Sequence, residues 1–515
     1  MRKALTISVL ALALLAGSTW AYAPWSANVR VSTGSGNETE VAIDHNYAYA
    51  VWNDGSGAVG FNRSTNGGTT WGTSTIIPTS YCDACVFVDD SGYVYVSYLS
   101  SGTTNTNIAR STDHGATWGM VKAVSINQGG RGIDKCWEYV HGSRVYVAWM
   151  AYSGNIWDIR LVKSTDRGVT FANWVKVNNN ADTVTYRQFP IPWEDSRNPN
   201  LVYCSMTMDR RRYGTGYNPP RELYIAKSTD GGVTWPVNTW VPDTLRLPTT
   251  SLNGARISCE EQMCVSQTNG DVYVTYYDSS HVAAGKLDVF FSRSTDAGLT
   301  FSRPTLVPTI GLDTSNQFFN AMTSDPYGRI HVVWRDSRNG GGRLAEYYAY
   351  STDRGTTWSV NEQASDTATT FSGFMGDYQG VTADSSFVAT VWTDTRSGTA
   401  AWFSKRSLPS AVEERDIAQR QLPMGLTLLQ SYPNPTRGEA TIPFALNRAS
   451  TVRLTVYNAL GQEVTTLLSA TLGAGTHSVS WNGRDIRGRP VDGGVYFYQL
   501  TRENETLTKR LTILR

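Results

Sequence analysis

The chain has 515 residues, which is long enough for more than one domain. Its 45 Lys and Arg nearly balance 44 Asp and Glu, and a net charge of +1 excludes the basic surface typical of nucleic-acid binding. With 46 Gly, 27 Tyr and 17 Trp but only 17% charged residues, the composition is typical of a β-rich, turn-rich protein.

The first 23 residues have the layout of a secretory signal peptide. Residues 1–3 (Met-Arg-Lys) supply positive charge, residues 4–16 are apolar, and small residues follow at Ala21 and Ala23. The apolar run is too short for a stable membrane span, and no later segment reaches about 18 consecutive apolar residues. We therefore expect residues 1–23 to be removed on export, and we expect no transmembrane segment in the mature chain.

Six copies of one octapeptide recur along the chain, with the pattern S-T-[DN]-x-G-x-T-[WF]. Their serines lie 47 to 66 residues apart, a period typical of radially repeated supersecondary units. The copies begin at Ser64, Ser111, Ser164, Ser228, Ser294 and Ser351. The Ser and Asp side chains can hydrogen-bond the backbone of a tight turn, and the Gly can adopt a positive φ. We expect the final Trp or Phe to pack each turn onto its own repeat unit.

The octapeptide resembles the Asp-box of the sialidase-like, or BNR-repeat, superfamily. That resemblance implies an all-β fold, a β-propeller, in which each box joins the third and fourth strands of a blade away from the active site. It therefore implies a structural role for the six boxes. It also implies extracellular glycans or glycoproteins as partners and, if the chain is an enzyme, a sialidase-like glycoside hydrolase.

The repeat units contain seven strand-like apolar stretches, one more than the number of boxes. These stretches lie at residues 47–52, 93–98, 144–149, 201–206, 271–276, 329–334 and 387–392. The last unit supplies only three strands, while residues 25–33 form a spare strand before the first unit. We predict that this N-terminal strand completes the last blade and closes a propeller of seven blades over residues 24–408. Six blades, as in the sialidases themselves, is the alternative.

The composition changes after the propeller. Residues 409–424 have prolines near both ends and a charged run between them, which predicts a linker. Residues 425–515 contain strand-like stretches at 452–457, 477–481 and 494–499, with the spacing of a small β-sandwich.

This tail carries a series of short motifs. They are SYPNP at 431–435, VYNALGQE at 456–463, WNGRD at 481–485, GGVYFY at 493–498 and KRLTIL at 509–514. Their order resembles the type A sorting domain of the type IX secretion system, an immunoglobulin-like fold related to flagellar hook-capping domains. The resemblance implies recognition by that secretion machinery and passage across a Gram-negative outer membrane, followed by release or anchoring at the cell surface. A carbohydrate-binding sandwich is the alternative.

The chain also has six cysteines, at positions 82, 85, 136, 204, 259 and 264. In an exported chain they can form disulfides, so buried thiols and one to three structural disulfides are both open. Cys82 and Cys85 have the spacing of half a zinc site, but no second pair accompanies them.

Polar residues precede the predicted strands at the point where a propeller's innermost strands begin. Aligning the units places Asn37 or Glu38, Asp83, Asp134, Glu261, Asn320 and Asp377 at comparable positions, with Arg187 in the fourth unit. Such a ring of acids repels itself unless it holds a cation, shares protons or binds ligand hydroxyls. Converging hard oxygen ligands suit Ca²⁺. The alternative is that these acids hydrogen-bond neighbouring blades around a hydrated channel.

We expect ligand binding at this ring. The predicted ligand-binding residues are Glu38, Asp83, Asp134, Arg187, Asn320 and, for stacking on sugars, Trp137.

Glycoside hydrolysis needs two carboxyl groups, or a tyrosine nucleophile served by a carboxylate. Asp377 and Glu261 are the candidate acid or base, and Tyr378 is the candidate nucleophile. Sialidases, however, bind the substrate carboxylate with arginines, one of them in an Arg-Ile-Pro motif near the N-terminus, where this chain has only Arg30 in the sequence VRVS. This departure favours glycan binding over sialidase chemistry. A scaffold that binds other proteins is the third hypothesis.

Overall fold

The computed structural model describes residues 24–101, 105–126, 131–154, 156–178, 186–209, 221–245, 251–252, 255–257, 260–279, 286–307, 315–371, 374–409, 426–429, 431, 434–436, 438–446, 448–473 and 475–514. The predicted signal peptide and almost all of the predicted linker lie outside these residues. Over the described residues the chain is all-β, without an α-helix. No helix capable of crossing a membrane therefore occurs in this part of the chain.

A short strand, β1 (Val29–Arg30), is followed by seven antiparallel sheets, which we number as blades one to seven. Blade one contains β2 (Asn37–Asp44), β3 (Tyr47–Asp54), β4 (Ala58–Ser64) and β5 (Thr75–Ile76). Blade two contains β6 (Ser80–Val88), β7 (Val94–Ser100), β8 (Thr106–Ser111) and β9 (Met120–Ala123). Blade three contains β10 (Gly132–His141), β11 (Arg144–Ser153), β12 (Ile156–Ser164) and β13 (Val175–Lys176). Blade four contains β14 (Tyr186–Glu194), β15 (Val202–Asp209), β16 (Arg221–Ser228) and β17 (Val237–Leu245).

A separate hairpin, β18 (Ser251–Leu252) and β19 (Ala255–Arg256), comes before blade five. Blade five contains β20 (Gln262–Val265), β21 (Val272–Asp278), β22 (Asp288–Ser294) and β23 (Thr305–Leu306). Blade six contains β24 (Gln317–Ser324), β25 (Ile330–Asp336), β26 (Arg343–Ser351), β27 (Glu362–Gln363) and β28 (Thr369–Thr370). Blade seven contains β29 (Gly380–Ala383), β30 (Phe387–Asp394) and β31 (Ala400–Ser407).

The seven blades lie in a closed ring. The first strand of each blade contacts the first strand of the next, and β29 of blade seven contacts β2 of blade one. The N-terminal strand β1 pairs with β31 through Val29 and Phe403, so it supplies the fourth strand of blade seven. This closure by the N-terminal strand is the one predicted from the sequence, and it covers an otherwise open sheet edge.

The core lies between the blades. The second strand of each blade is an almost continuous apolar run because both of its faces are covered by neighbouring blades. In β25 and β30, for example, every residue is buried. Large aromatic side chains fill these interfaces, among them Trp52, Trp149, Trp334 and Trp392.

Each octapeptide forms the tight turn that its residues predict. In the second copy, the Ser111 Oγ accepts a hydrogen bond from the Gly115 N–H (2.8 Å) and donates one to Asp113 Oδ1 (2.7 Å). Asp113 Oδ1 also accepts the Thr117 N–H at 2.8 Å. The glycine has a positive φ in all six copies, at Gly68, Gly115, Gly168, Gly232, Gly298 and Gly355. The local prediction for Ser, Asp and Gly is therefore confirmed.

The aromatic residue of the octapeptide does not pack as predicted. Trp118 of blade two packs edge-on against Phe61 of blade one, with ring centroids 5.0 Å apart. Trp358 of blade six packs in the same way against Phe291 of blade five, at 5.2 Å. The expectation that each aromatic packs onto its own blade is wrong for these copies, because the turn packs against the preceding blade at the interface between the two.

A basic residue strengthens the same contact. The residue immediately before the octapeptide serine is Lys or Arg in most copies, and it reaches the next blade's turn. Arg63 Nη1 donates to the His114 carbonyl at 2.9 Å, and Lys163 Nζ donates to the Gly231 carbonyl at 2.8 Å. The octapeptides therefore join consecutive blades to each other.

The tail forms two antiparallel sheets that share one core. The first contains β32 (Thr427–Leu428), β33 (Ala440–Leu446) and β36 (Gly475–Trp481), and the second contains β34 (Ser450–Asn458), β35 (Glu463–Leu472), β37 (Gly494–Arg502) and β38 (Glu505–Ile513). Phe444 of the first sheet and Leu454 and Tyr498 of the second belong to one buried cluster. This is the sandwich that the strand spacing predicts.

The described cysteines, at positions 82, 85, 136, 204 and 264, are free thiols. Cys259 lies outside the described residues. Four of these five thiols are buried, and Cys82 is partly exposed. Of the two possibilities, buried thiols are therefore the outcome for the described positions.

The contact between blades can be tested with two glycines that share a backbone conformation. Gly355 and Gly398 have φ values of 78° and 79°, but an added Cβ would overlap the Phe291 ring at Gly355 and would meet nothing within 4 Å at Gly398. Both changes to Ala impose backbone strain of about 1 kcal/mol, and only Gly355→Ala adds overpacking of about 1–3 kcal/mol. We expect a clearly lower urea midpoint for Gly355→Ala than for Gly398→Ala. Equal midpoints would contradict the proposed role of this contact.

Candidate acidic site at one mouth of the channel

Five of the seven innermost strands contain a β-bulge near their start. In β2 the register shifts between Asn37 and Glu40, and in β10 it shifts between Asp134 and Trp137. The bulged residue has a positive φ in five blades, at Glu38, Asp83, Lys135, Phe189 and Phe319. Because a bulge redirects side chains and is common next to functional sites, it decides which residues reach the channel mouth.

The bulges also correct the alignment made from the sequence. We count back from the residue of each innermost strand at which regular pairing with the second strand begins. Asp134 and Asp377 lie three residues before this residue, and Glu38 and Asp83 lie two residues before it. Glu261 and Asn320 occupy a third position, and Arg187 lies further outward. The predicted ring of equivalent residues is therefore wrong in register, since an extra residue in a strand cannot be seen in an apolar pattern.

Four of the predicted acids do meet, and they meet around a lysine. Lys135 Nζ lies 2.8 Å from Asp377 Oδ2, 3.4 Å from Glu38 Oε1 and 3.7 Å from Asp83 Oδ2. Asp134, the preceding residue, accepts the Lys135 backbone N–H at 3.0 Å. These residues come from blades one, two, three and seven, so the cluster lies where four innermost strands begin.

The acids of the cluster differ in protonation. Burial raises the pKa of Glu38 well above its usual range. For Asp83, burial opposes ionisation, but Lys135 and hydrogen bonds from Glu38 and Asp134 lower its pKa. Burial, followed by the charge of Asp83, raises the pKa of Asp134 to about 7. Acids with a raised pKa therefore lie next to acids with a lowered pKa, which reduces the repulsion expected for a ring of carboxylates.

Asp377 is held ionised by two cationic side chains. Burial opposes its ionisation, but Lys135 and Arg256 outweigh that effect and lower its pKa to about 2. Arg256 donates to Asp377 Oδ1 at 3.0 Å through Nε and also to Oδ2 through Nη2. The Arg256 side chain, on the hairpin β18–β19, is 56% exposed. It also lies over the ring of Phe374, at 4.4 Å from the ring centroid, and Phe374 is itself exposed.

Beneath the acids lies an apolar layer that closes this mouth. Trp137 and Tyr378 pack edge-on with centroids 5.2 Å apart, beside Cys85 and Ile191. The Tyr378 hydroxyl donates to the Ala84 carbonyl at 3.4 Å, and burial raises the pKa of this tyrosine well above its usual range. Trp137 and Tyr378 therefore form the floor of the site.

The other predicted site residues face neighbouring blades. Glu261 is fully buried, and burial raises its pKa to about 8, with Ser205 of blade four as a neighbour. Asn320 Nδ2 donates to Thr275 Oγ1 at 2.9 Å, and Arg187 Nη1 donates to the Trp157 carbonyl at 2.8 Å. For Asn320 and Arg187 the structure matches the alternative interpretation, in which polar groups connect blades.

The cation at the centre of the acids belongs to the protein. The polar residues aligned from the sequence suit Ca²⁺ at this position, but the Lys135 ammonium lies among the carboxylates that would coordinate it. Among the described residues, no group of three or more His, Cys, Asp or Glu is arranged to hold a metal ion. The same result applies to Cys82 and Cys85, which had the spacing of half a zinc site.

Lys135 and Arg256 lie in the site but are not among the site residues predicted from the sequence. Lys135 follows Asp134 directly, so an alignment one residue later would have placed it beside Glu38 and Asp83. Arg256 comes from a hairpin outside the blade pattern, and no periodicity in the sequence points to it.

A comparison with protein families found a match in the tail. Residues 434–506 match the family described as FlgD Ig-like domain. A comparison with curated protein sequences gave no significant match. The fold of the propeller follows from its own sheet topology.

Several solved structures are similar at low identity. One is a polysaccharide lyase of family PL25, an ulvan lyase, with 11% identity over 77% of this chain and 99% of that chain, and a TM-score of 0.48. Another is the α-L-arabinofuranosidase Arb93A from Fusarium graminearum, with 11% identity over 64% and 98% of the two chains and a TM-score of 0.41. A third is a Trypanosoma rangeli sialidase, with 10% identity over 94% and 89% and a TM-score of 0.45.

Replacing Lys135 tests whether its charge holds the cluster together. Lys135→Met leaves buried carboxylates without their cation, and breaking a buried ion pair in this way costs about 3–5 kcal/mol. The control is Lys176→Met, because Lys176 pairs with Asp158 at 3.0 Å while its side chain is 45% exposed, and such pairs contribute about 0–1 kcal/mol. We expect a large loss in the free energy of unfolding, measured by denaturation, for the first variant only. A similar small loss in both variants would refute the role assigned to Lys135.

Proposed function

We propose that the propeller binds extracellular glycans at the acidic site and that Asp134 transfers a proton to or from the bound sugar. The observation that carries the proposal is the contrast between Asp134 and Asp377. They occupy the same strand position in two blades, yet the pKa of one is raised to about 7 and that of the other is lowered to about 2. Two acids whose environments separate their pKa values in this way are typical of acid–base chemistry on glycosidic bonds.

The accessible groups of the site suit a sugar. Carboxylates accept hydrogen bonds from hydroxyl groups, and Asp134 is the member of the acid cluster that is only partly buried. Arg256 and Phe374 are exposed next to Asp377 at the same channel mouth, so a pyranose ring can stack on an aromatic face while its hydroxyls reach charged groups. Lys135 contacts Asp377 and follows Asp134 in the chain, so it connects the two acids.

The sialidase alternative requires an accessible tyrosine nucleophile. Tyr378 is only 5% exposed and its hydroxyl donates to a backbone carbonyl. A raised pKa also disfavours the phenolate that would attack a sugar. We therefore favour Asp134 over Tyr378 as the residue that acts on the glycan.

The test is to incubate residues 24–515 with sialylated glycoproteins and a panel of polysaccharides, and to measure binding by calorimetry and released sugars by mass spectrometry. We expect Asp134→Asn to lower the rate of sugar release by about 100-fold, the lower range for loss of a general acid or base. If Asp134 donates the proton, release by the unaltered chain falls as the pH rises through about 7, because the donor loses its proton. Asp44→Asn serves as the control, because Asp44 lies at the end of strand β2 that is remote from Glu38 and the acidic site.

The outcomes separate the hypotheses. If the chain binds glycans but releases no sugar, and Asp134→Asn abolishes this binding, the proposed glycan site is supported and the proposed proton transfer is wrong. Release that survives in Asp134→Asn and disappears in Tyr378→Phe would support the sialidase alternative. No binding to any glycan would overturn the proposal and favour a protein-binding scaffold.

We also propose that the tail directs export to the cell surface or the medium through the type IX secretion system. The support is its order of motifs and its similarity to the FlgD Ig-like domain over residues 434–506. The residues of the proposed signal peptide, 1–23, would direct the earlier step of export across the inner membrane.

This export proposal predicts where a truncated chain accumulates. In a Gram-negative host that has this secretion system, the full chain should reach the cell surface or medium, whereas a chain lacking residues 425–515 should remain in the periplasm. Cell fractionation followed by mass spectrometry measures both. Equal amounts of the two chains outside the cell would show that the tail has another role.

A further inference from the structure

The channel contains a second polar feature, on the far side of the layer formed by Trp137 and Tyr378. There it widens into a cavity of about 280 Å³, lined by the later halves of the innermost strands. Asp90 and Gln267 are exposed at its rim, on the face that carries the octapeptide turns. This cavity is therefore separate from the acidic site and opens at the opposite mouth.

One buried carboxyl group in this cavity has no cation to balance its charge. Glu40 lines the cavity and is 8% exposed. The backbone N–H of the adjacent Val41 donates a hydrogen bond to its carboxyl group, and no ion pair to this group occurs within the described residues. Its carboxyl group packs against the backbone of Gly380, where an added Cβ would lie 2.8 Å from Oε2. A carboxyl group withdrawn from water in this way favours a ligand that can pair with its charge.

The walls of the cavity are rich in aromatic rings. Phe87, Tyr139 and Trp193 pack on one another, with centroids 4.8 to 6.1 Å apart. Trp137 adds a fourth ring from the layer that closes the cavity. Aromatic faces attract cations through their quadrupoles, and Trp is the strongest of them.

The charges around the cavity have one sign. None of the described residues that line it is Lys or Arg, while Glu40, Asp89 and Asp90 all line it. Asp89 accepts hydrogen bonds from backbone groups and from Tyr95 and pairs with Arg167 at 3.6 Å, and His141 is held by Glu194 at 2.9 Å. Asp90 remains to give the open end of the cavity a negative potential, which attracts cations, and Glu40 supplies a carboxyl group that can ionise when a cation binds.

We propose that this cavity binds a small organic cation, an amine or a quaternary ammonium, with the Glu40 carboxylate as its counter-ion and the aromatic rings around its alkyl groups. The site lies beyond the proposed glycan function and does not depend on it. Because the pKa of Glu40 is raised well above its usual range by burial, pairing with a cation would also release a proton into solution.

The experiment uses choline and its uncharged analogue 3,3-dimethylbutan-1-ol, which has the same shape without the charge. Calorimetry on residues 24–515 should detect choline binding and no binding of the analogue. In buffers of different ionisation enthalpy, the measured heat should change in proportion to the proton released. Glu40→Gln, which keeps the shape of the side chain, should weaken choline binding by roughly tenfold or more, and Trp193→Leu should do the same.

Asp44→Asn is the matched control, because it removes one carboxylate from the surface end of the same strand and should change the affinity by roughly twofold at most. Thermal unfolding midpoints show whether each variant is folded, and the comparison of the two ligands needs no variant. Absence of choline binding, equal binding of the two ligands, or unchanged binding in a folded Glu40→Gln variant would each overturn the proposal.

Discussion

The propeller depends on contacts that cross from one blade to the next, because each blade buries its apolar faces only against its two neighbours. The octapeptides serve this constraint directly. Their side-chain hydrogen bonds fix a turn, and their positive-φ glycine lets that turn approach the preceding blade closely. Ring closure completes the pattern, since β1 pairs with β31 and leaves blade seven without an open edge on that side.

The acidic site also joins blades to one another, at one mouth of the channel. Lys135 of blade three contacts acids of blades one, two and seven, so a single ammonium connects four blades. Its position follows from the bulge at the start of β10, and the equivalent bulges turn Glu38 and Asp83 towards it. The charge arrangement that makes Asp134 and Asp377 chemically different is therefore a consequence of how the innermost strands meet.

Much of the candidate site could be predicted from the sequence, but its assignment to roles could not. Polar residues ahead of each apolar strand marked the mouth, and Glu38, Asp83, Asp134 and Asp377 do lie together there. Glu261, with the same chemistry and similar spacing, faces blade four instead. A shift of one residue in strand register decides whether such an acid reaches the channel mouth or faces a neighbouring blade, since successive side chains in a strand point to opposite faces.

The sequence by itself determined the repeat, the turns, the two-part organisation and the strand that closes the ring, because these depend on local hydrogen bonding and on periodicity. Only the tertiary structure decided which side chains share the channel. Bulges insert residues without changing the apolar pattern, and Arg256 reaches Asp377 across 121 positions of sequence. The pKa values of the acids also depend on the tertiary structure, because burial and neighbouring charges arise only once the blades have assembled.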